Sequence, residues 1–294
     1  MESNNLKVLV TGSNGQLGSE IKAISANYPT LDITFTDINE LDIADENAVN
    51  HFIKTLNPHF VVNCAAYTTV DKAETEVELP KKINSFAPKI IAKSCKDNGC
   101  KLIHISTDYV FDGESKTPYD ESSPVNPISK YGISKLKGEQ EALTSGICMV
   151  IRTSWLYSSF GSNFVKTIIR NGKIKPELRV VSDQVGCPTY ARDLANVILT
   201  IISKGHEAFA PEIFHYSNEG VCSWFDFAGE IIRLSNINCK VLPIGVIDYP
   251  LPAKRPQYSV FNKDKIRKSY HITIPQWKDS LTDCIEILKI DGFI

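Results

Sequence analysis

Leu6-Lys7-Val8-Leu9-Val10 runs directly into Gly12-Ser13-Asn14-Gly15-Gln16-Leu17-Gly18. The first stretch reads as a strand buried on both faces, the pattern of a parallel strand between two layers of helix. The second spells G-x-x-G-x-x-G at the entry to a helix predicted over Gly15 to Ala26. Glycines there permit a tight turn. They also let backbone N–H groups approach a diphosphate and let the helix pack close to the strand. Alone the triplet is a weak signal, because any Gly-rich strand-to-helix turn matches it. The context strengthens it. A second strand, Asp32 to Thr36, leads to Asp37, 19 residues beyond Gly18. A carboxylate at that point can accept hydrogen bonds from an adenosine ribose. Its charge favours NAD over NADP, whose 2′-phosphate it repels, and no Arg lies within a few residues. The plainer reading of Asp37 is a turn-starting Asp.

Outward from this stretch, helices and strands alternate. Glu46 to Leu56 reads as a helix, Phe60 to Asn63 as a strand, and Pro80 to about Asn98 as a helix. Lys101 to Ser106 is a strand, Tyr131 to Leu143 a helix, and Met149 to Ile151 a strand. The fold class is therefore α/β, a doubly wound, Rossmann-like parallel sheet. After residue 152 the pattern loosens, with prolines at 243, 250, 252, 256 and 275. Helices over Asn163 to Asn171, Arg192 to Ser203, Trp224 to Leu234 and Trp277 to Ile287 alternate with short strands. We expect a NAD(P)-binding domain over 1–152, completed by segments near 178–218, and a smaller mixed α/β substrate-binding lobe over 153–294. Arg179 to Val181 and Glu212 to His215 are the candidates for extending the first sheet. Ligands in such folds lie at the carboxyl ends of the strands.

The chain has 294 residues, 43% hydrophobic and 22% charged, with a formal net charge of −2. This composition excludes disorder and does not point to a nucleic-acid or membrane partner. Eight cysteines contain no C-x-x-C pair, and six histidines show no ligand-like spacing, so no metal site is expected. Met1 to Asn5 is polar and the apolar run after it spans five residues, too short for a secretory or membrane segment. The expectation is a cytoplasmic protein whose reduced cysteines fill core.

Tyr131-Gly132-Ile133-Ser134-Lys135 places a phenol and an ammonium four residues apart on one helix face. A free phenol has a pKa of about 10, high for a proton carrier near neutrality. A neighbouring ammonium lowers it, and the same lysine can bind a nicotinamide ribose. An incidental aromatic–Lys pair is common on a surface helix. The third member shifts the balance: Thr107 ends a strand 24 residues before Tyr131. A hydroxyl there can orient a carbonyl, with Ser106 as its competitor. The set predicts carbonyl reduction by a nicotinamide hydride, with Tyr131 giving the proton, Lys135 tuning it and Thr107 orienting the substrate.

The glycine spacing resembles the extended short-chain dehydrogenase/reductase superfamily. Longer stretches resemble one branch. They are Gly15-Gln16-Leu17-Gly18, Leu41-Asp42-Ile43, Val62-Asn63-Cys64-Ala65-Ala66-Tyr67-Thr68, Val70-Asp71-Lys72-Ala73-Glu74, Ser106-Thr107-Asp108-Tyr109-Val110-Phe111-Asp112-Gly113, Arg152-Thr153-Ser154-Trp155, Asn163-Phe164, Asp183-Gln184-Val185-Gly186-Cys187-Pro188-Thr189 and Arg255-Pro256. In this order they resemble the dTDP-4-dehydrorhamnose reductase family. The resemblance implies NADPH or NADH as cofactor, a dTDP-sugar substrate, and reduction of the 4-keto group of dTDP-6-deoxy-L-lyxo-4-hexulose to dTDP-L-rhamnose.

It also implies roles. Gly12, Gly15, Gln16, Leu17 and Gly18 would cradle the diphosphate and Asp37 the ribose. Asp42 and Ile43 would flank the adenine. Ala66, Tyr67, Thr68 and Ile105 would pass beside the cofactor, and Thr107, Asp108 and Trp155 would contact the sugar nucleotide. Val70, Asp71 and Lys72 would lie near the sugar. Core packing is the rival role for Trp155, a helix cap for Asp71, and an ion pair with Glu74 or Glu76 for Lys72. Arg255 suits a diphosphate, and Gln184 is a further candidate. Some family members hold Mg2+ at a homodimer contact through glutamates. Glu20 matches one of these, but Arg192 stands where another is expected, and a basic residue is a poor ligand for a hard cation. Two other readings remain: a related nucleotide-sugar reductase or epimerase, and a non-catalytic regulatory subunit of the methionine adenosyltransferase type. An epimerase needs a second proton carrier, and none is identifiable.

Overall fold

A computed structural model describes residues 5–294, so the first four residues of the polar start lie outside the described residues. Five strands form in the first half: β1 (Leu6–Thr11), β2 (Leu31–Thr36), β3 (Phe60–Asn63), β4 (Lys101–Thr107) and β5 (Cys148–Thr153). Val8, Leu9 and Val10 are fully buried, as an apolar run covered on both faces requires. Between them lie α1 (Gln16–Ile24), α2 (Glu46–Leu56) and a long rod made of α3 (Glu78–Pro80), a π-helical stretch (Lys81–Phe86) and α4 (Ala87–Asp97). The helix expected from Pro80 to Asn98 therefore starts two residues earlier and carries a π segment. Ahead of β5 comes α5 (Lys130–Leu143), capped by the Ser129 hydroxyl, which accepts from the Gly132 N–H at 3.1 Å.

The second half contributes short strands: β6 (Leu156–Tyr157), β7 (Glu177–Val181), β8 (Val185–Gly186), β9 (Thr189–Tyr190), β10 (Ile213–His215), β11 (Cys222–Ser223) and β12 (Lys240–Ile244). Its helices are α6 (Phe164–Ile174), α7 (Ala191–Ser203), α8 (Trp224–Leu234), α9 (Asp264–Tyr270) and α10 (Trp277–Ile290). The main sheet is parallel throughout, in the order β10-β5-β4-β3-β1-β2. The order reverses at β1 and β3, which opens a crevice at their carboxyl ends.

Of the two candidate extensions, Ile213–His215 joins the main sheet and the 179–181 segment does not. β7 pairs with β12 instead. Its burial shows why: Leu178 and Val180 are buried while Glu177 and Arg179 are exposed, the alternation of a strand covered on one face. One core layer lies between the sheet and α1 with α7. A second lies on the opposite face under α2 and α4. A third belongs to α6, α8 and α10. All eight cysteines are free thiols, six of them buried.

Candidate active site

The glycine loop leaves β1 with Gly12 at φ +68°, and a Cβ there would come within 2.5 Å of the Ala65 nitrogen. A Cβ on Gly18 would come equally close to the Gly12 carbonyl oxygen. Both positions need hydrogen. No side chain caps the N-terminus of α1, so its first-turn N–H groups and the positive end of its dipole are left for an anion. This loop fits a dinucleotide diphosphate. Asp37 braces it: Oδ2 accepts from the Asn14 N–H at 2.9 Å and Oδ1 from the Ile38 N–H at 2.8 Å. Glu40 in turn accepts from the Asp37 N–H. Asp42 closes a local turn onto the Ala44 N–H, and Ile43 is buried in the core on that side of the sheet. Gln16 Oε1 accepts from Asn163 Nδ2 at 3.0 Å, linking the loop to the start of α6.

Beyond β3, Ala66 and Tyr67 are half-buried and Thr68 is exposed. Asn84, in the π-helical stretch, holds the Tyr67 backbone from both sides. Its Oδ1 accepts from the Tyr67 N–H at 2.9 Å and its Nδ2 donates to the Tyr67 carbonyl at 3.0 Å. Sequence reasoning passed over Asn84. A polar Asn inside a buried helical run was its available signal, and π segments concentrate at functional sites.

Tyr131, Lys135 and Thr107 come together where α5 crosses the end of β4. Tyr131 and Lys135 are both buried. The Thr107 hydroxyl lies beside the Tyr131 phenol, donates to Asp108 Oδ1 at 3.0 Å and accepts from the Tyr109 N–H at 3.2 Å. Ser106, its competitor, turns the other way and donates to Glu139 at 2.8 Å. Lys135 Nζ donates to the Ile105 carbonyl at 2.6 Å. Tyr109 packs edge-on to Tyr131, with ring centroids 5.3 Å apart.

The electrostatics differ from the expectation in one respect. Burial pushes the Tyr131 phenol up, the Asp108 charge adds to this, and the nearby Thr107 hydroxyl opposes it. Lys135 is turned to Ile105 and is not among the groups that shift Tyr131. Burial in turn lowers Lys135 to about 8, against the attraction of Glu139.

Asp108 is raised to about 6 by burial, against hydrogen bonds from Thr107 and Ser259. A carboxyl raised above its ordinary value adds stability below about pH 4 and loses it as pH rises through about 6. Asp108→Asn removes that loss. Its melting temperature should exceed the parent's by roughly 5 °C at pH 8 and by almost nothing at pH 4. Calorimetry across this range checks it, and a gain independent of pH would exclude Asp108 as the source.

The second wall of the site is joined through one ion pair. Asp71 takes Arg255 in a two-pronged contact, at 3.1 Å from Nη1 and 2.8 Å from Nη2, and also accepts from the Ala253 N–H. The helix-cap role considered for Asp71 is thus corrected: the Lys72–Glu74 turn receives no side-chain cap from it. A guanidinium forks onto a carboxylate more strongly than an N–H bonds it. Arg255 also donates from Nη1 to the Ala253 carbonyl at 3.0 Å. It lines a cleft of about 450 Å³ together with Asp112, Gly113, Ile128, Gln184 and Gln257.

Val70 is half-buried and Lys72 exposed. The ion pair considered for Lys72 is not formed: Glu74 accepts from the Lys130 N–H and Glu76 from the Tyr67 hydroxyl. Trp155 has a left-handed backbone (φ +47°) and stacks on Trp224, centroids 3.6 Å apart. Such a backbone is costly for a bulky residue and is typical of functional sites.

His104 is packed as expected, 3.1 Å from Asn63 through Nδ1. Glu20 is fully buried, accepting from Arg192 Nε at 2.9 Å and Ser158 Oγ at 2.6 Å. A carboxylate committed to a guanidinium does not fit a divalent cation. Among the described residues no group of three or more His, Cys, Asp or Glu could hold a metal, and no helix is long and apolar enough to cross a membrane.

The family model described as "RmlD substrate binding domain" matches residues 6–290. The spore coat polysaccharide biosynthesis protein SpsK of Bacillus subtilis is 39% identical, over 95% of this chain and 97% of its own. The crystal structure of a dTDP-4-dehydrorhamnose reductase from Clostridium acetobutylicum superposes with a TM-score of 0.91 at 43% identity, over 97% and 100% of the two chains. That of the Bacillus anthracis dTDP-4-dehydrorhamnose reductase in complex with NADP gives 0.90 at 38%, over 96% and 99%. With the glycine loop, the Thr107–Tyr131–Lys135 constellation and full-length similarity in agreement, the chain belongs to the dTDP-4-dehydrorhamnose reductase family.

Proposed function

We propose that the chain catalyses NAD(P)H-dependent reduction of the 4-keto group of dTDP-6-deoxy-L-lyxo-4-hexulose, giving dTDP-L-rhamnose. The observation that carries this reading is the burial of Thr107, Tyr131 and Lys135 together where α5 crosses the end of β4, with Lys135 tied to the Ile105 carbonyl. The nicotinamide supplies the hydride when bound. Gly12, Gly15, Gln16, Leu17 and Gly18 hold its diphosphate, Asp37 its ribose, Asp42 and Ile43 its adenine side. Ala66, Tyr67, Thr68 and Ile105 line its path to the reacting carbon.

Thr107 orients the carbonyl. Tyr131, kept protonated by burial and by Asp108, gives its phenolic proton to the developing alkoxide. Lys135 presents its ammonium at the end of β4. Asp108, Val70, Asp71, Lys72 and Trp155 bound the sugar. The cleft beside Arg255 is assigned to the nucleotide; the guanidinium, whose Nη atoms are taken by Asp71 and the Ala253 carbonyl, fixes its wall. We assign residues 1–152, with α7 and β10, to the cofactor lobe and the remainder chiefly to the substrate lobe. The cytoplasm is the proposed place of work.

The test is oxidation of NADH or NADPH followed with the 4-keto sugar nucleotide. Steady turnover supports the reading. Asp37 and Glu40 meet at the end of β2, where a 2′-phosphate would face negative charge, so kcat/KM with NADH should equal or exceed that with NADPH. No oxidation with several such sugars, together with tight binding to another protein, would overturn the assignment in favour of a regulatory subunit.

A further inference from the structure

Glu139 is buried to 1% exposure, and none of the steps above uses it. It lies one turn beyond Lys135 and two beyond Tyr131 on α5, so all three share a helix face. Its carboxylate is fully engaged. Oε2 accepts from Ser106 Oγ at 2.8 Å and from Arg152 Nε at 3.0 Å, and Oε1 accepts from Arg152 Nη2. Arg152 is equally buried, with its guanidinium over the Phe111 ring and Nη1 3.4 Å from His215 Nε2. Burial and Arg152 push His215 down to about 3, so it adds no charge near neutrality. Ser106 stands between Ile105, whose carbonyl takes Lys135, and Thr107. One carboxylate therefore pins α5 to β4 at the residue between two groups that the reaction needs.

We propose that Glu139 is a positioning residue of the reduction: clamped by Ser106 and Arg152, it holds the end of β4, and with it Thr107, in register with Tyr131 and Lys135 on α5. This rests on the roles of Tyr131 and Lys135 proposed above. The groups around Lys135 agree with it. β4 contributes the Ile105 carbonyl and His104, which burial drives far down and leaves neutral. β3 is followed by Cys64, a thiol raised to about 12 by burial and so also neutral. α5 contributes the neutral Tyr131 and the carboxylate of Glu139. Burial lowers Lys135, and Glu139 is the anion that opposes it.

The test is the pH profile of Glu139→Gln. Loss of the anion should move the basic limb of kcat/KM toward acid by about one unit, a tenfold change in the protonation equilibrium. KM for the sugar nucleotide should stay within about twofold. The single variant leaves Arg152 without an anion and can fail to fold. Glu139→Gln/Arg152→Gln removes both charges; it should melt closer to the parent and keep the shifted limb. A lowered melting temperature with an unmoved limb in both variants would reduce Glu139 to a structural residue and overturn the proposal. Tyr131→Phe is measured alongside. If it is inactive while the Glu139 limb is unmoved, the function stands and this inference falls. If it remains active, Tyr131 is not the proton donor, and the roles of Tyr131 and Lys135 on which this inference rests fall instead.

Discussion

Tyr131→Phe is expected to lower turnover by about 10²–10⁴-fold, the range for removal of a positioned acid. Phe keeps the ring of Tyr131 and its edge-on contact with Tyr109, so fold and melting temperature should hardly change. The lost atom is the one that carries the proton. The direction of the phenol's shift sharpens this prediction. Burial and the Asp108 charge both favour the neutral phenol, which is the form that can donate to an alkoxide. Reduction should therefore remain strong through neutral pH, and oxidation of the alcohol, which needs the phenolate, should favour higher pH. Steady-state kinetics in both directions, with circular dichroism as the control for folding, checks this. Near-normal turnover would remove Tyr131 as the proton donor.

Arg152→Met should cost about 3–5 kcal/mol, the usual penalty for stranding one partner of a buried ion pair. Arg152 and Glu139 side chains retain only 3% and 2% of their exposure. Met roughly fills the volume and leaves the Glu139 carboxylate without its guanidinium. For a chain of this size the melting temperature should fall by roughly 6–15 °C. The pH dependence has a definite sign. A stranded buried carboxylate takes up protons more readily when folded than when unfolded, so the deficit should shrink as pH falls toward 5. Calorimetry at two pH values separates this from simple loss of packing, which would be independent of pH. The wild-type pair need not be worth this much; the cost arises from the charge left behind.

What the amino-acid order made legible was local. The β1 run and the glycine loop reveal the fold because both signals lie within 13 residues and each demands a backbone that few alternatives satisfy. Tyr131 and Lys135 are legible for the same reason, one helical turn apart. Glu139 and Arg152 were not, because a helix Glu and a strand Arg separated by a turn look like two surface charges until the sheet closes over them. Asp71 reads naturally as a cap, a short-range role, while its actual partner lies 184 positions away. The 179–181 segment is apolar enough for the main sheet, and only the competing strand β12 decides where it pairs. Trp155 shows a different limit. Its left-handed backbone is imposed by what surrounds it, and no propensity of tryptophan announces it.

The Asp71–Arg255 clasp also sets an order of events as the chain leaves the ribosome. Strands β1 to β5 emerge early and can begin to associate, since nascent chains fold from the N-terminus. The loop that carries Asp71 is then already exposed, yet its guanidinium partner is encoded 184 positions later. Until that segment is translated, Asp71 has only water to face, and the cleft has one wall. The second wall of the cleft is therefore among the last parts of the nascent protein to be completed, even though the glycine turn is among the first segments to appear.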